Sequence, residues 1–152
     1  MNLTIYLLSY FIIIISVVGY GLIFQSILKN YLYLEFEYNL LGSLFFLIFL
    51  SFFTHFFFSH GYIHNLIILL TGFLSSIFFF FREKKIFKKY FIYILLIFGL
   101  LIIAFLTAKT HDDFPYYHFP YTYYLTQENL IIGMGNLNHG FRTPSSIFYL
   151  NS

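Results

Sequence analysis

The strongest constraint on this chain is where its charges are missing. Met1 to Leu28 carries no Asp, Glu, Lys or Arg, nor do the 44 residues from Tyr38 to Phe81 or the 19 from Tyr90 to Ala108. A helix needs about 20 predominantly apolar residues to cross the hydrocarbon of a bilayer. The middle run is therefore long enough for two crossings, and Ser59-His60-Gly61 is its natural break. The pattern predicts four transmembrane helices, at about 3–28, 40–58, 62–81 and 90–108. Helices are expected over barrel strands because the runs are continuously apolar and lack a two-residue alternation. With 60% hydrophobic and only 9% charged residues, the chain cannot cover a water-facing surface. It is also too hydrophobic for a disordered chain. The expected fold class is an all-α, polytopic integral membrane protein, with a bundle over 1–109 and a juxtamembrane segment with short helices over 110–152.

The first run does not read as a cleaved signal peptide, since it has no basic start, is too long and is followed by no small-residue cleavage site. Orientation follows from the basic loop Arg82-Glu83-Lys84-Lys85-Ile86-Phe87-Lys88-Lys89, which is expected to stay cytoplasmic. The 29–39 loop then lies inside as well. Ser59–Gly61 and everything after Lys109 lie outside the inner (plasma) membrane. A net charge of +2 is too small to suggest nucleic acid as a partner, and the absence of Cys excludes thiolate metal sites and disulfides.

The tail is different in kind. Residues 111–152 hold three of the six His, all three Pro and half the acids. They are too polar to span, and rich enough in aromatics to lie at the headgroup level, where Tyr is favoured. Pro115 and Pro120 are expected to keep their preceding residues out of the helical region. Pro120 suits the first position of a helix of about 120–132, with Gly133 as its C-terminal cap. Thr143-Pro144 reads as an N-cap and first-turn proline for a second helix from Ser145 to Leu150. No stop signal precedes Ser152. The chain is therefore expected to be the N-terminal piece of a longer polytopic protein.

Three constellations could carry chemistry. The first is His111-Asp112-Asp113 with Tyr117 and His118 close behind. Adjacent carboxylates at a helix end repel, so one can be held as a proton acceptor near neutral pH. They can also bind a hard divalent cation. The alternative is a solvated pair marking the end of the span. The second is Asn136, Asn138, His139 and Arg142 among glycines, which can bind sugar hydroxyls or phosphate or be an ordinary polar turn. The third is His55, His60 and His64 with Asn65. No carboxylate is near, so hydrogen bonding at the interface or between helices is expected over metal binding. Gly19, Gly21, Gly42, Ser43, Gly72, Ser75 and Ser76 suit close helix packing. The runs Phe56–Phe58 and Phe78–Phe81 are expected to face lipid. No nucleotide-binding, hydrolase or zincin motif is present.

From Lys84 to Asn151 the chain resembles the start of a polytopic GT-C-type glycosyltransferase module and uncharacterised bacterial polytopic membrane proteins. A basic cytoplasmic cluster precedes the span Tyr90–Ala108. An outer acid pair with aromatics follows, His111-Asp112-Asp113-Phe114-Pro115-Tyr116-Tyr117-His118. A juxtamembrane helix then leads to Ile131-Ile132-Gly133-Met134-Gly135-Asn136-Leu137-Asn138-His139-Gly140-Phe141, and Ser145-Ser146 precedes Tyr149-Leu150-Asn151-Ser152. The resemblance implies a polyprenyl-phosphate-linked sugar as donor in cell-envelope glycan assembly. Asp112 or Asp113 would deprotonate the acceptor or organise a divalent metal ion. His111, Tyr117, His118, Asn136, Asn138, His139 and Arg142 would contact substrate. Three spans precede the acid loop here, which departs from the module's usual start, and a piece of this length is expected to be inactive alone. Two other readings are open: a surface-polysaccharide polymerase or lipid-linked glycan transporter, and a non-catalytic small membrane subunit.

Overall fold

The computed structural model describes residues 3–28, 35–82, 84–107, 112, 114–136, 139–142 and 145–151. All regular structure among them is helical: α1 (Leu3–Leu28), α2 (Phe36–His55), α3 (Tyr62–Arg82), α4 (Lys84–Thr107), α5 (Phe119–Gln127) and α6 (Phe148–Asn151). A wide π turn over Phe114–His118 and tight 3-10 turns over Met134–Asn136 and His139–Phe141 complete it. Three stretches among the described residues are long and apolar enough to cross a membrane: Leu3–Leu28, Tyr38–His55 and Tyr62–Arg82. Tyr90–Ala104, within α4, is apolar but shorter.

The elements depart from the sequence reading in instructive ways. Helix α2 begins before residue 40, where the Asn39 amide already donates to the Glu35 carbonyl at 2.9 Å. It ends at His55 because the Thr54 carbonyl accepts from both Phe57 and Phe58 at 2.9 Å, closing a tight turn. Helix α4 starts at Lys84, inside the basic cluster. Lysines are good helix formers, and their long stems let the charged ends reach water while the backbone stays helical. Phe114 and Phe119 are both helical despite the prolines that follow them. A proline lacks the N–H and crowds the carbonyl four residues earlier; the widened turn just before Pro120 is a place where both are tolerated. Helix α5 stops at Gln127, with Glu128 extended (φ −124°, ψ 154°). Gly133 therefore does not cap it and instead turns the chain at φ +93°. The expected cap at Thr143-Pro144 lies outside the described residues.

By contacts the chain forms two compact units, one of Met1–Phe46 with Ile68–Ala108, the other of Leu47–Ile67 with Lys109–Ser152. In the first unit α1 has partners on several sides. Ile14, Val18 and Leu22 form a stripe at four-residue spacing that packs with Tyr90 and Ile94 of α4. Another stripe meets α3: Ser16 Oγ donates to the Leu69 carbonyl at 3.0 Å, Tyr20 to Ile68 at 2.8 Å, and Ser76 Oγ back to Ile15 at 2.6 Å. These bonds are possible because glycines let the backbones touch. A side chain at Gly19 would run into the Gly72 carbonyl, and one at Gly72 into Ser16. Toward α2, Gly21 lies against Asn39 and Gly42 against Phe24. Ser75, by contrast, bonds back to Thr71 of its own helix. Of the Phe78–Phe81 run, Phe78 and Phe81 are exposed, but Phe79 and Phe80 pack against the α1–α4 core.

Candidate functional site

The second unit is assembled from the 47–67 hairpin and the tail. The free carbonyls at two helix ends define the junction: the His60 amide donates to Leu125 at 2.7 Å and the Leu130 amide to His55 at 3.0 Å. The Asn129 side chain adds a bond to the Phe57 carbonyl at 3.3 Å. Below these bonds lies an aromatic core of Tyr121, Leu125, Phe141, Phe148 and Tyr149, flanked by Tyr117 and Met134. Tyr121 lies 5.3 Å from Phe141 and 5.2 Å from Phe148, ring to ring. Glycine is required at position 140, where a Cβ would come within 2.7 Å of the Tyr117 Cβ.

The three histidines of the hairpin come together. The His60 ring stacks on His64 at 4.4 Å and meets His55 edge-on at 4.8 Å, with Tyr149 at 5.9 Å. The His60 Nε2–H donates to the Ser51 carbonyl at 3.0 Å, which fixes its tautomer. His64 bridges helices, with Nε2 at 2.9 Å from Thr54 Oγ1 and Nδ1 at 3.0 Å from Asn65 Oδ1, while the Asn65 amide donates to the His60 carbonyl at 2.9 Å. This is the interhelical hydrogen bonding expected of these residues. Burial above all, then the neighbouring His64, pushes the His60 imidazole down to about 4, against the pull of the Ser51 carbonyl. His60 is thus neutral at physiological pH. No group of three or more His, Asp or Glu among the described residues is placed to hold a metal ion.

Beside this cluster a cavity of about 550 Å³ opens within the same unit. Its walls include Phe52, Leu125, Leu130, Ile131 and Phe141 on the apolar side, and His55, Tyr121, Asn136, Arg142 and Tyr149 on the polar side. His55 is 2% exposed, and its Nδ1 has no hydrogen-bond partner among the described residues. Burial pushes the Tyr121 and Tyr149 hydroxyls above their ordinary pKa and keeps both phenols protonated, and Tyr149 is pushed further by the neighbouring Tyr121. Arg142 lies beside Gly135, and its Nε–H donates to the Gly135 carbonyl at 3.4 Å.

The residues singled out in the sequence are distributed unevenly. Asn136 and Arg142 meet in the cavity wall. Tyr117 packs on the aromatic core, its ring 4.3 Å from that of His118, which in turn lies 5.2 Å from Phe148. His139 is exposed in its short turn. Asp112 is exposed in a turn just before Phe114. His111, Asp113 and Asn138 lie outside the described residues. The cavity also uses His55, which the sequence reading had grouped with His60 and His64, and Phe52, Tyr121 and Tyr149, which it had not singled out. The one available signal was the dense run of histidines in an otherwise apolar hairpin.

These features define a class: an all-helical membrane protein whose aromatic tail folds with one helical hairpin around a cavity. No protein-family model, curated protein or solved structure matches this chain.

Proposed function

We propose that the chain is the N-terminal part of a GT-C-type glycosyltransferase-like protein of the plasma membrane, acting on a lipid-phosphate-linked sugar in cell-envelope glycan assembly. In this reading α4 is a fourth span, the basic cluster 82–89 is cytoplasmic, and residues 110–152 are extracytoplasmic. The observation that carries the reading is the cavity, where Asn136 and Arg142 share a wall with Phe52, Leu130 and Ile131. A guanidinium and an amide supply donors for phosphate and hydroxyl oxygens, and the apolar side suits a lipid chain. Asp112 is solvent-reachable in the same unit, as a base that accepts an acceptor hydroxyl proton must be.

Asp112→Asn and Asp113→Asn, singly and together, are to be assayed for sugar transfer in the protein as its cell makes it. At least one single variant should lose about two orders of magnitude in rate, the usual worth of a general base. Undiminished transfer in the double variant overturns the assignment. A reporter active only outside the cytoplasm, fused after Thr110, should be active; a silent fusion reverses the orientation.

A further inference from the structure

The hairpin of the second unit holds three side chains in the order in which acyl-transfer sites use them. Thr54 Oγ1 lies 2.9 Å from His64 Nε2, and His64 Nδ1 lies 3.0 Å from Asn65 Oδ1. The direction of these bonds is fixed from the far end. The Asn65 Nδ2–H donates to the His60 carbonyl at 2.9 Å, which turns Oδ1 toward the imidazole. Oδ1 can only accept, so His64 carries its proton on Nδ1 and presents a lone pair at Nε2. The Thr54 hydroxyl also reaches the Ser51 carbonyl at 3.0 Å, but that carbonyl already accepts the His60 Nε2–H at 3.0 Å. The hydroxyl hydrogen is therefore directed to His64 Nε2. The His60 ring stacks on His64 at 4.4 Å with an interplanar angle of 5°, which covers one face of the imidazole and restrains it.

A hydroxyl within hydrogen-bond reach of a base that a third group orients is the arrangement of an activated nucleophile. We propose that Thr54, His64 and Asn65 form a site that hydrolyses acyl esters of membrane lipids. His64 Nε2 takes the Thr54 proton as Oγ1 bonds to the ester carbonyl carbon, and gives it to the alcohol oxygen as the C–O bond breaks. A water then attacks the acyl-threonine carbonyl carbon and passes a proton to His64 Nε2, which returns it to Thr54 Oγ1 as the acid leaves. The sum is ester plus water to acid plus alcohol. Asn65 is a positioning residue that acts through the His64 ring. In the first turn of α3 the Asn65 amide bonds to the Gly61 carbonyl at 3.1 Å, while the amides of Tyr62, Ile63 and His64 make no backbone bond among the described residues. They are donors of the kind that stabilise an oxyanion. The substrate class follows from location. Thr54 is one residue from the end of the apolar stretch Tyr38–His55, and His64 is the third residue of Tyr62–Arg82. Both are half-buried, and Phe57, Phe58, Tyr62 and Ile63 are exposed on the same turn. The ends of spans lie at the edge of the hydrocarbon core, which is the level of a glycerolipid's ester bonds. This activity is independent of the sugar-transfer reading.

The test uses the full chain in nanodiscs of ether-linked phosphatidylcholine, which has no ester of its own. The substrates are 4-nitrophenyl octanoate and 4-nitrophenyl acetate, and the label is an alkyl fluorophosphonate. Hydrolysis of the octanoate should exceed that of empty nanodiscs, and mass spectrometry should find the label on Thr54. Thr54→Val should abolish both while leaving every imidazole in place, and Thr54→Ser should keep both. His64→Gln should lower kcat about a hundredfold or more, the usual worth of a general base. Asn65→Ala should lower kcat with KM unchanged, because it frees the ring without altering the apolar surface. The octanoate should be preferred to the acetate about tenfold or more in kcat/KM, the worth of a few buried methylenes. Hydrolysis undiminished in Thr54→Val, or a label found on another residue, overturns the proposal. A raised KM with kcat unchanged in Asn65→Ala overturns its positioning role. Equal kcat/KM for the two esters overturns the lipid substrate. Where a variant does not fold, the wild-type protein decides: neither label nor hydrolysis above empty nanodiscs overturns the site.

Discussion

The two units of this chain solve the same problem by opposite means. In the first, close packing comes from having almost no side chain. Gly19 and Gly72 let α1 and α3 touch backbone to backbone, and three hydroxyls on Ser16, Tyr20 and Ser76 bond across the seam. In the second, packing comes from large rings, with Tyr121, Phe141, Phe148 and Tyr149 around Leu125 and a stack of histidines beside them. Small residues give close contact without cavities, since nothing protrudes to prop the helices apart. Rings meet at edges and angles, and such a core readily leaves space beside it. The cavity lies in the ring-packed unit.

Substitutions can break this contrast. The largest effect is expected from Gly72→Leu. Its side chain would meet Ser16 and Tyr20 and the main chain of α1, so the loss should exceed the roughly 1–3 kcal/mol typical of overpacking. Gly99→Leu is the matched control, because nothing lies within 4 Å of a Cβ at that position. Thermal unfolding in micelles, followed by circular dichroism, should show a large drop for the first and almost none for the second. Equal drops would mean that the glycine seam does not hold the first unit together.

Next in size is Leu125→Ala in the ring-packed unit. Leu125 is 1% exposed, and truncation of such a leucine costs about 3 kcal/mol. Hydrogen exchange should localise the loss to residues 47–67 and 114–151. Protection lost in α1 as well would argue against two separate cores.

The smallest effect concerns pH. His60 is 1% exposed and its imidazole is pushed down to about 4, below its ordinary value of about 6.5. The unfolded chain therefore takes up the proton first. The stability this neutral histidine contributes is fully present above about pH 6.5 and is lost progressively as pH falls toward 4. At pH 5 the loss should be on the order of 1 kcal/mol after allowance for solvent screening. His60→Gln should be less stable at pH 7 but flatter between pH 6.5 and 4. An equally steep acid response in that variant would assign the sensitivity to another group.

Much of the spanning architecture was legible because lipid imposes a blunt rule. The charge-free runs placed α1 and α3 to within a residue, since a charge in hydrocarbon is costly wherever it falls. The small residues of the α1–α3 seam were legible for a related reason: glycine and serine in an apolar helix have few other uses. The start of α4 was not, because lysine can end a span without ending a helix. The cavity was partly legible. Asn136 and Arg142 stood out as polar residues among glycines, whereas His55 is recruited by a hydrogen bond from the Leu130 amide to its carbonyl and Phe52 by the ring of Tyr149, 5.3 Å away, partners far along the chain. No local pattern records such a pairing. Gly133 shows the same limit: its freedom at positive φ was readable, but whether it would end a helix or turn a loop depends on where Gln127 stops.

The α1–α3 seam also sets an order of events during synthesis. Its hydrogen bonds join residues 48 to 61 positions apart, so α1 emerges well before the helix that receives its hydroxyls. At about 5–20 residues per second, Ser16 and Tyr20 wait several seconds for their partners. During that interval their hydroxyls must be hosted by the helix's own carbonyls, by water or by the insertion machinery. A protein held together by its glycines thus has a stage of its biogenesis in which its first helix is the least settled part of it.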